Sequence, residues 1–372
     1  MPQETKESNT EVAADENPIR PLLVVSDKTL SEYEMFIGRL LVGLADESVS
    51  SALVSPRGWE VQPIIPPSIE VIKYPAFNLP VFVRNISKGF LQQLTDFGPT
   101  VIHCLCEKKV SFVKQLARQL DLPYILTINS LQKRFSRLSL YSKLPVKITV
   151  PAKSIAENIS KSSPKLAGRV KQINIGIFIE KESTCFSELS RQVCIVTAGA
   201  LNDESDFENL LRAVKHLALE EYEFMLFIIG TGPAEQKLRR LIAALGLTQV
   251  VTIVPNLRSR RSVLASGDIF VQPRPNLAFN PLLLEAMSAG TAVAACKGGV
   301  DDLIIDNETA VVFKPDDELS IMNGLRKLLN RPEYARQLAS TAQDYVKENH
   351  KVSTMVSEIL QTYRNAQETA KV

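Results

Sequence analysis

Short apolar runs alternate with amphipathic segments along nearly the whole chain, and they do so in two series. From Arg20 onward, Leu22–Val25, Ala52–Ser55, Ile69–Lys73, Thr100–Leu105, Tyr124–Ile128, Lys147–Val150 and Val170–Ile173 read as strands. Helical patterns at Ser31–Leu44, Val81–Leu94, Val110–Gln119 and Ser154–Ser160 separate them. Apolar runs this continuous suit strands covered on both faces, and the intervening helices are the cover. A β-α alternation of this kind gives a mostly parallel, doubly wound sheet. Polar Glu180–Glu188 breaks the pattern and reads as a linker. The second series has strands at Val193–Ala198, Glu223–Ile229, Val250–Val254, Ile269–Val271, Ala292–Ala295 and Ala310–Val312. Its helices fall at Phe207–Leu219, Ala234–Leu245, Arg261–Ala265, Pro281–Ser288, Asp301–Ile305, Glu318–Leu329 and Pro332–His350, and a last one at Val352–Ala366.

The expected fold is therefore α/β, with two Rossmann-like doubly wound parallel-sheet domains facing a cleft. A chain of 372 residues also exceeds what one core usually serves. The expected division is a disordered tail (1–18), a first domain (19–183), a second domain (184–345) and a C-terminal helix (346–372). Ligands of such sheets sit beyond the carboxyl ends of the strands, so the cleft is the expected site.

Composition narrows the classes. The chain is 45% hydrophobic and 23% charged with a formal net charge of +2, which gives no global field for nucleic acid. No apolar run approaches the roughly 18 residues of a membrane-spanning helix. The first sixteen residues are acidic and polar, unlike a signal peptide. Five cysteines, an odd number with no CxxC pair, suit a reducing compartment. The expected location is cytoplasmic, soluble or peripheral to the inner face of a membrane. His103, His216 and His350 lie far apart without metal-ligand spacing, and no metal is expected.

The stretch Gly267–Ile304 carries the most chemistry. A strand runs into a proline-rich loop, and Asn280 and Pro281 then open a helix as N-cap and first helical residue. A helix N-terminus delivered by a strand is a ready anion site. Glu285 is the one acid in the apolar run Leu282–Met287. This segment resembles the donor-site signature of nucleotide-sugar glycosyltransferases with the GT-B fold, glycosyltransferase family 4. Phe279-Asn280, Glu285-Ala286-Met287 and Ala289-Gly290 match that signature, with family-like spacing over about Val193 to Ala342.

The resemblance implies a nucleotide-sugar donor, a glycan or lipid-linked acceptor, transfer of a hexose with retention, and neither metal nor other cofactor. It implies that Glu285 holds the ribose, and that the helix start at Asn280, Pro281 and Leu282 faces phosphate. The turns at Gly199 and at Gly230-Thr231-Gly232-Pro233 would approach the nucleotide, although tight β-α turns need such glycines for their own sake.

Four family positions are replaced. Asn129 stands where His is usual, Ala200 where Arg is, Ser205 where Lys is, and Leu277 where the first Glu of the signature is. The loop Ser26–Leu30 also lacks the family's glycine pair. A departing nucleoside diphosphate needs fixed cations or N–H groups. Arg274 and Lys297 are the nearest substitutes in sequence, and Arg258, Arg260 and Arg261 are further candidates. The basic, apolar-interleaved segment Leu131–Lys147 suits peripheral contact with an anionic membrane. Two functions follow: a hexosyltransferase with a depleted diphosphate site, or a non-catalytic relative that binds a glycan, a nucleotide or a protein.

Overall fold

The computed structural model describes residues 18–58, 65–74, 86–132, 146–179, 185–187, 191–255 and 267–371. Thirteen strands among these form two all-parallel sheets. The first holds β1 (Pro21–Val24), β2 (Ala52–Ser55), β3 (Glu70–Lys73), β4 (Val101–Cys104), β5 (Tyr124–Thr127), β6 (Val146–Val150) and β7 (Val170–Gln172), in the order 3-2-1-4-5-6-7. The second holds β8 (Val193–Ala198), β9 (Phe224–Ile229), β10 (Val251–Val254), β11 (Ile269–Gln272), β12 (Ala292–Cys296) and β13 (Val311–Phe313), in the order 10-9-8-11-12-13. Each sheet thus reverses direction beside its first strand, at β1/β4 and at β8/β11, and such switch points open the crevice where ligands bind.

The helices cover both sheets. In the first half they are α1 (Asp27–Asp46), α2 (Lys88–Phe97), α3 (Val110–Leu120) and α4 (Lys153–Ser162). In the second they are α5 (Ser205–Leu219), α6 (Glu235–Ala244), α7 (Pro281–Ser288), α8 (Glu318–Leu329) and α9 (Pro332–Asn349). The last helix, α10 (Val352–Lys371), leaves the second half and packs on α1, β4, β5 and β6. Tyr363 of α10 sits fully buried against His103 of β4, and its hydroxyl lies 2.8 Å from His103 Nδ1. His103 Nε2 meets Thr127 Oγ1 at 2.8 Å, which in turn meets Thr149 Oγ1. Burial lowers the His103 pKa to about 3, so the neutral ring adds hydrogen bonds to the apolar packing of Met355, Ile359 and Leu360 that holds the helix.

Several segments differ from the sequence expectation. The expected loop Ser26–Leu30 is instead the start of α1. Ser26 caps that helix by accepting the Thr29 N–H at 3.2 Å, and the helix begins four residues earlier than expected. Asp301–Ile305 is a turn rather than a helix. The Asp301 carboxylate is spent on the Gly298 and Gly299 N–H groups, and Thr309 Oγ1 takes the Ile305 N–H that a helix would use. Part of the polar stretch read as a linker is docked. Cys185 and Phe186 are buried, and the Phe186 N–H bonds Asp268 Oδ1 at 2.7 Å. Asp268 also takes the Cys194 N–H and the Arg191 guanidinium, both at 2.8 Å. The expected helix at Arg261–Ala265, the start of the expected helix at Val81, Arg258, Arg260 and Arg261, and most of the basic segment Leu131–Lys147 lie outside the described residues.

Candidate functional site in the interdomain cleft

A cavity of about 360 Å³ lies where the switch point of the second sheet meets the first turns of α1. From the second half its wall includes Thr197 to Ala200 at the end of β8, Thr231 after β9, and residues from Phe270 to Leu282 around the end of β11. Lys28, Ser31, Glu32 and Tyr33 of α1 form the opposite wall. The turns fit tightly. A Cβ on Gly230 would stand 2.0 Å from the Gly199 carbonyl oxygen, so that close approach admits only glycine.

Of the residues expected from sequence, Gly199, Ala200, Arg274, Asn280 and Leu282 line this cavity. Gly230 supports the turn behind it. Pro281 starts α7 but is not on the wall. Lys297 is exposed and also off the wall, and Ser205 is the exposed first residue of α5.

Three of the groups expected here to meet a ligand, Asn280, Arg274 and Glu285, already have partners. Asn280 Oδ1 accepts the N–H groups of Leu282 and Leu283, at 3.1 and 3.4 Å, so the start of α7 is capped by its own side chain. Arg274 Nη1 donates to Asp206 Oδ1 at 2.6 Å. Burial pushes the Asp206 pKa up, and the Arg274 charge pulls against that shift. Lys28 lies 3.5 Å from Glu32 on the exposed face of α1. Glu285 is 4% exposed and does not line the cavity. Its Oε1 accepts from Arg39 Nη2 of α1 at 2.6 Å, and Arg39 is 2% exposed.

Asn129 and Leu277, two positions read from sequence as replacements, come together as backbone. The Phe279 N–H donates to the Asn129 carbonyl and the Leu131 N–H to the Leu277 carbonyl, each at 2.8 Å, with an antiparallel bridge between Ser130 and Ala278. The Leu277 side chain is 55% exposed. Tyr33 Oη donates to the Phe279 carbonyl at 2.8 Å, and the Ser154 N–H and hydroxyl both bond Asp302. These contacts clasp the two halves across the cleft mouth. Arg39, Asp206, Gln272 and Tyr33 take part in the site without having been marked from sequence. A Gln ending an otherwise apolar strand was the one local signal available. Among the described residues no group of three or more His, Cys, Asp or Glu could hold a metal. No described helix is long and apolar enough to cross a membrane.

Two parallel-sheet α/β halves that face each other across a switch-point cavity define the GT-B architecture, and solved glycosyltransferases of that fold match nearly the whole chain. Sucrose-phosphate synthase from Thermosynechococcus elongatus matches with TM-score 0.76 at 16% identity, over 93% of this chain and 98% of that one. The Anabaena protein HepE in complex with UDP-glucose matches with TM-score 0.75 at 15% identity, over 93% and 100%. Residues 182–345 match the family model for glycosyl transferases group 1. Among curated relatives, the sulfoquinovosyl transferase SQD2 of Arabidopsis thaliana is 22% identical over 288 residues, which is 70% of this chain and 55% of that protein. The chain spans about half the length of the curated relatives it matches first, 55% and 47%.

Proposed function

We propose that the chain is a glycosyltransferase of family 4 type, moving a hexose from a nucleotide-sugar to a glycan or lipid-linked acceptor with a weakened hold on the diphosphate. The observation that carries this reading is the position of the cavity. It opens at the switch point of the second sheet and is roofed by α1, so donor and acceptor would meet between the halves. In the reaction the bond from the sugar's anomeric carbon to phosphate oxygen breaks, the acceptor hydroxyl oxygen bonds to that carbon, and the hydroxyl proton passes to the departing diphosphate. Negative charge then collects on the leaving diphosphate. Arg274 is the cavity-lining cation nearest the α7 start in sequence, and it would exchange Asp206 for a phosphate oxygen. Leu282 and Leu283 would offer their N–H groups if Asn280 released them. Glu285 would meet a ribose only by giving up Arg39. This reading calls for no metal or other cofactor. A membrane-bound acceptor would be met through Leu131–Lys147.

The same partnering supports a second reading, a non-catalytic module that binds a glycan, a nucleotide or a protein. Each charged group proposed for the donor already has an internal counter-charge. Calorimetry with UDP, GDP and ADP, followed by a donor-hydrolysis assay, separates the two. Binding that Arg274→Ala weakens about tenfold or more, with measurable hydrolysis, supports transfer. Absence of binding to all three nucleotides removes the transferase reading and leaves the second.

A further inference from the structure

One polar group on the cavity wall has no partner among the described residues. Gln272 ends β11, is 5% exposed, and contributes to the cavity lining. Its orientation follows from its neighbours. Asn280 Oδ1 is committed to the N–H groups of Leu282 and Leu283, so the Asn280 amide must present its Nδ2 to Gln272. That Nδ2 donates to Gln272 Oε1 at 2.8 Å, which fixes the second amide in turn. Gln272 Nε2 is left buried with no hydrogen-bond acceptor. Native proteins leave few buried donors in that state, and those that remain often mark a functional contact.

The surroundings indicate what the donor would meet. The other polar side chains on the wall include neutral ones, Thr197, Asn202, Thr231 and Asn276. Among the described residues its cations are Arg274, paired with Asp206, and Lys28, paired with Glu32. A diphosphate entering here would lose water without gaining an uncompensated positive charge. A hydroxyl or ring oxygen needs only a neutral donor at hydrogen-bond distance.

We infer that Gln272 is a specificity-determining residue for an uncharged saccharide ring, its Nε2 donating to a sugar oxygen. The inference rests on the reading of this cleft as the ligand site, and it names a neutral sugar, rather than the nucleotide, as the ligand the resting cavity holds best. Asn280 acts as the positioning residue that turns the Gln272 donor away from itself.

The test uses the full chain, with saturation-transfer NMR and calorimetry against glucose, methyl glucoside and maltose, and with UDP as comparator, at low and high sodium chloride. At least one of the three sugars is expected to bind with an affinity unchanged by salt, whereas UDP binding would fall as salt rises. Gln272→Glu keeps an acceptor for Asn280 and removes the free donor. Gln272→Met removes both. Each should weaken sugar binding about tenfold or more, with the far-UV circular dichroism of Gln272→Met unchanged from the parent's. Binding of none of the three sugars overturns the inference, as does equal sugar affinity in Gln272→Glu. Sugar binding lost in Gln272→Glu with no UDP binding in the parent supports the inference and counts against nucleotide-dependent transfer. UDP binding without sugar binding does the reverse.

Discussion

Glu285 shows how a residue that resembles a family's donor-site position can be engaged inside the protein instead. The resemblance implies a ribose contact, yet here the carboxylate faces Arg39 at 2.6 Å in a setting closed to water. An Arg cannot shed its proton, so removing Glu285 leaves a buried guanidinium without its facing carboxylate. Glu285→Ala should therefore cost about 3–5 kcal/mol of unfolding free energy by urea denaturation. The double variant Arg39→Met, Glu285→Leu should lose much less than the two single losses added together. Additive losses would mean that the two groups are not coupled. The sequence showed that an acid inside Leu282–Met287 was no ordinary surface charge. It could not show Arg39, which lies 246 positions away on a helix of the other half. The same holds for Arg274. Its place on the loop was legible, but its pairing with Asp206 depends on how α5 sits beside β11.

At the scale of elements, strands were the most readable part, because buried parallel strands are short unbroken apolar runs bounded by polar turns. Val193–Ala198 and Ala52–Ser55 match the structure residue for residue, and so do helices Pro281–Ser288 and Glu318–Leu329, each opened by an Asn or Asp cap. Misreadings fell where a polar side chain had two possible uses. Ser26 and Asp27 read as loop but cap and start α1, while Asp301 reads as a helix start but ties down Gly298 and Gly299. The Gly230 turn tests how far element packing sets the site. A Cβ on Gly230 meets the Gly199 oxygen at 2.0 Å, whereas one on Gly199 meets nothing within 4 Å. Gly230→Ala should cost about 1–3 kcal/mol and displace the cavity wall at Gly199, with any nucleotide or sugar affinity falling in parallel. Gly199→Ala should leave the denaturation midpoint within about 0.5 kcal/mol of the parent. Equal stability of the two variants would contradict the close approach.

At the scale of the whole molecule, the halves are clasped by backbone pairing at the cleft mouth, by the Arg39–Glu285 pair, and by α10 returning to the first sheet. Two histidines sit at the ends of that return. His103 receives Tyr363, and His350, just before α10, places its Nδ1 2.8 Å from the Ile175 carbonyl oxygen. Burial lowers both pKa values, to about 3 for His103, while the Ile175 contact partly offsets the shift at His350. The folded chain then binds fewer protons than the unfolded chain below the ordinary histidine pKa of about 6.5. Their contribution to stability is therefore complete above about pH 6.5 and is lost as pH falls towards the folded values. Each such histidine steepens the loss by up to about 1.4 kcal/mol per pH unit. Burial raises the pKa of Glu107 and Asp206, which acts in the opposite sense at the lower pH where carboxylates titrate. The informative window is thus about pH 6.5 down to 5, above most carboxylate titration. Urea denaturation across that window should show falling stability in the parent and a shallower slope in His103→Gln. A slope unchanged by that substitution would mean that His103 does not remain neutral in the fold. In that case, the Tyr363 contact at His103 would be to a charged ring rather than a neutral one.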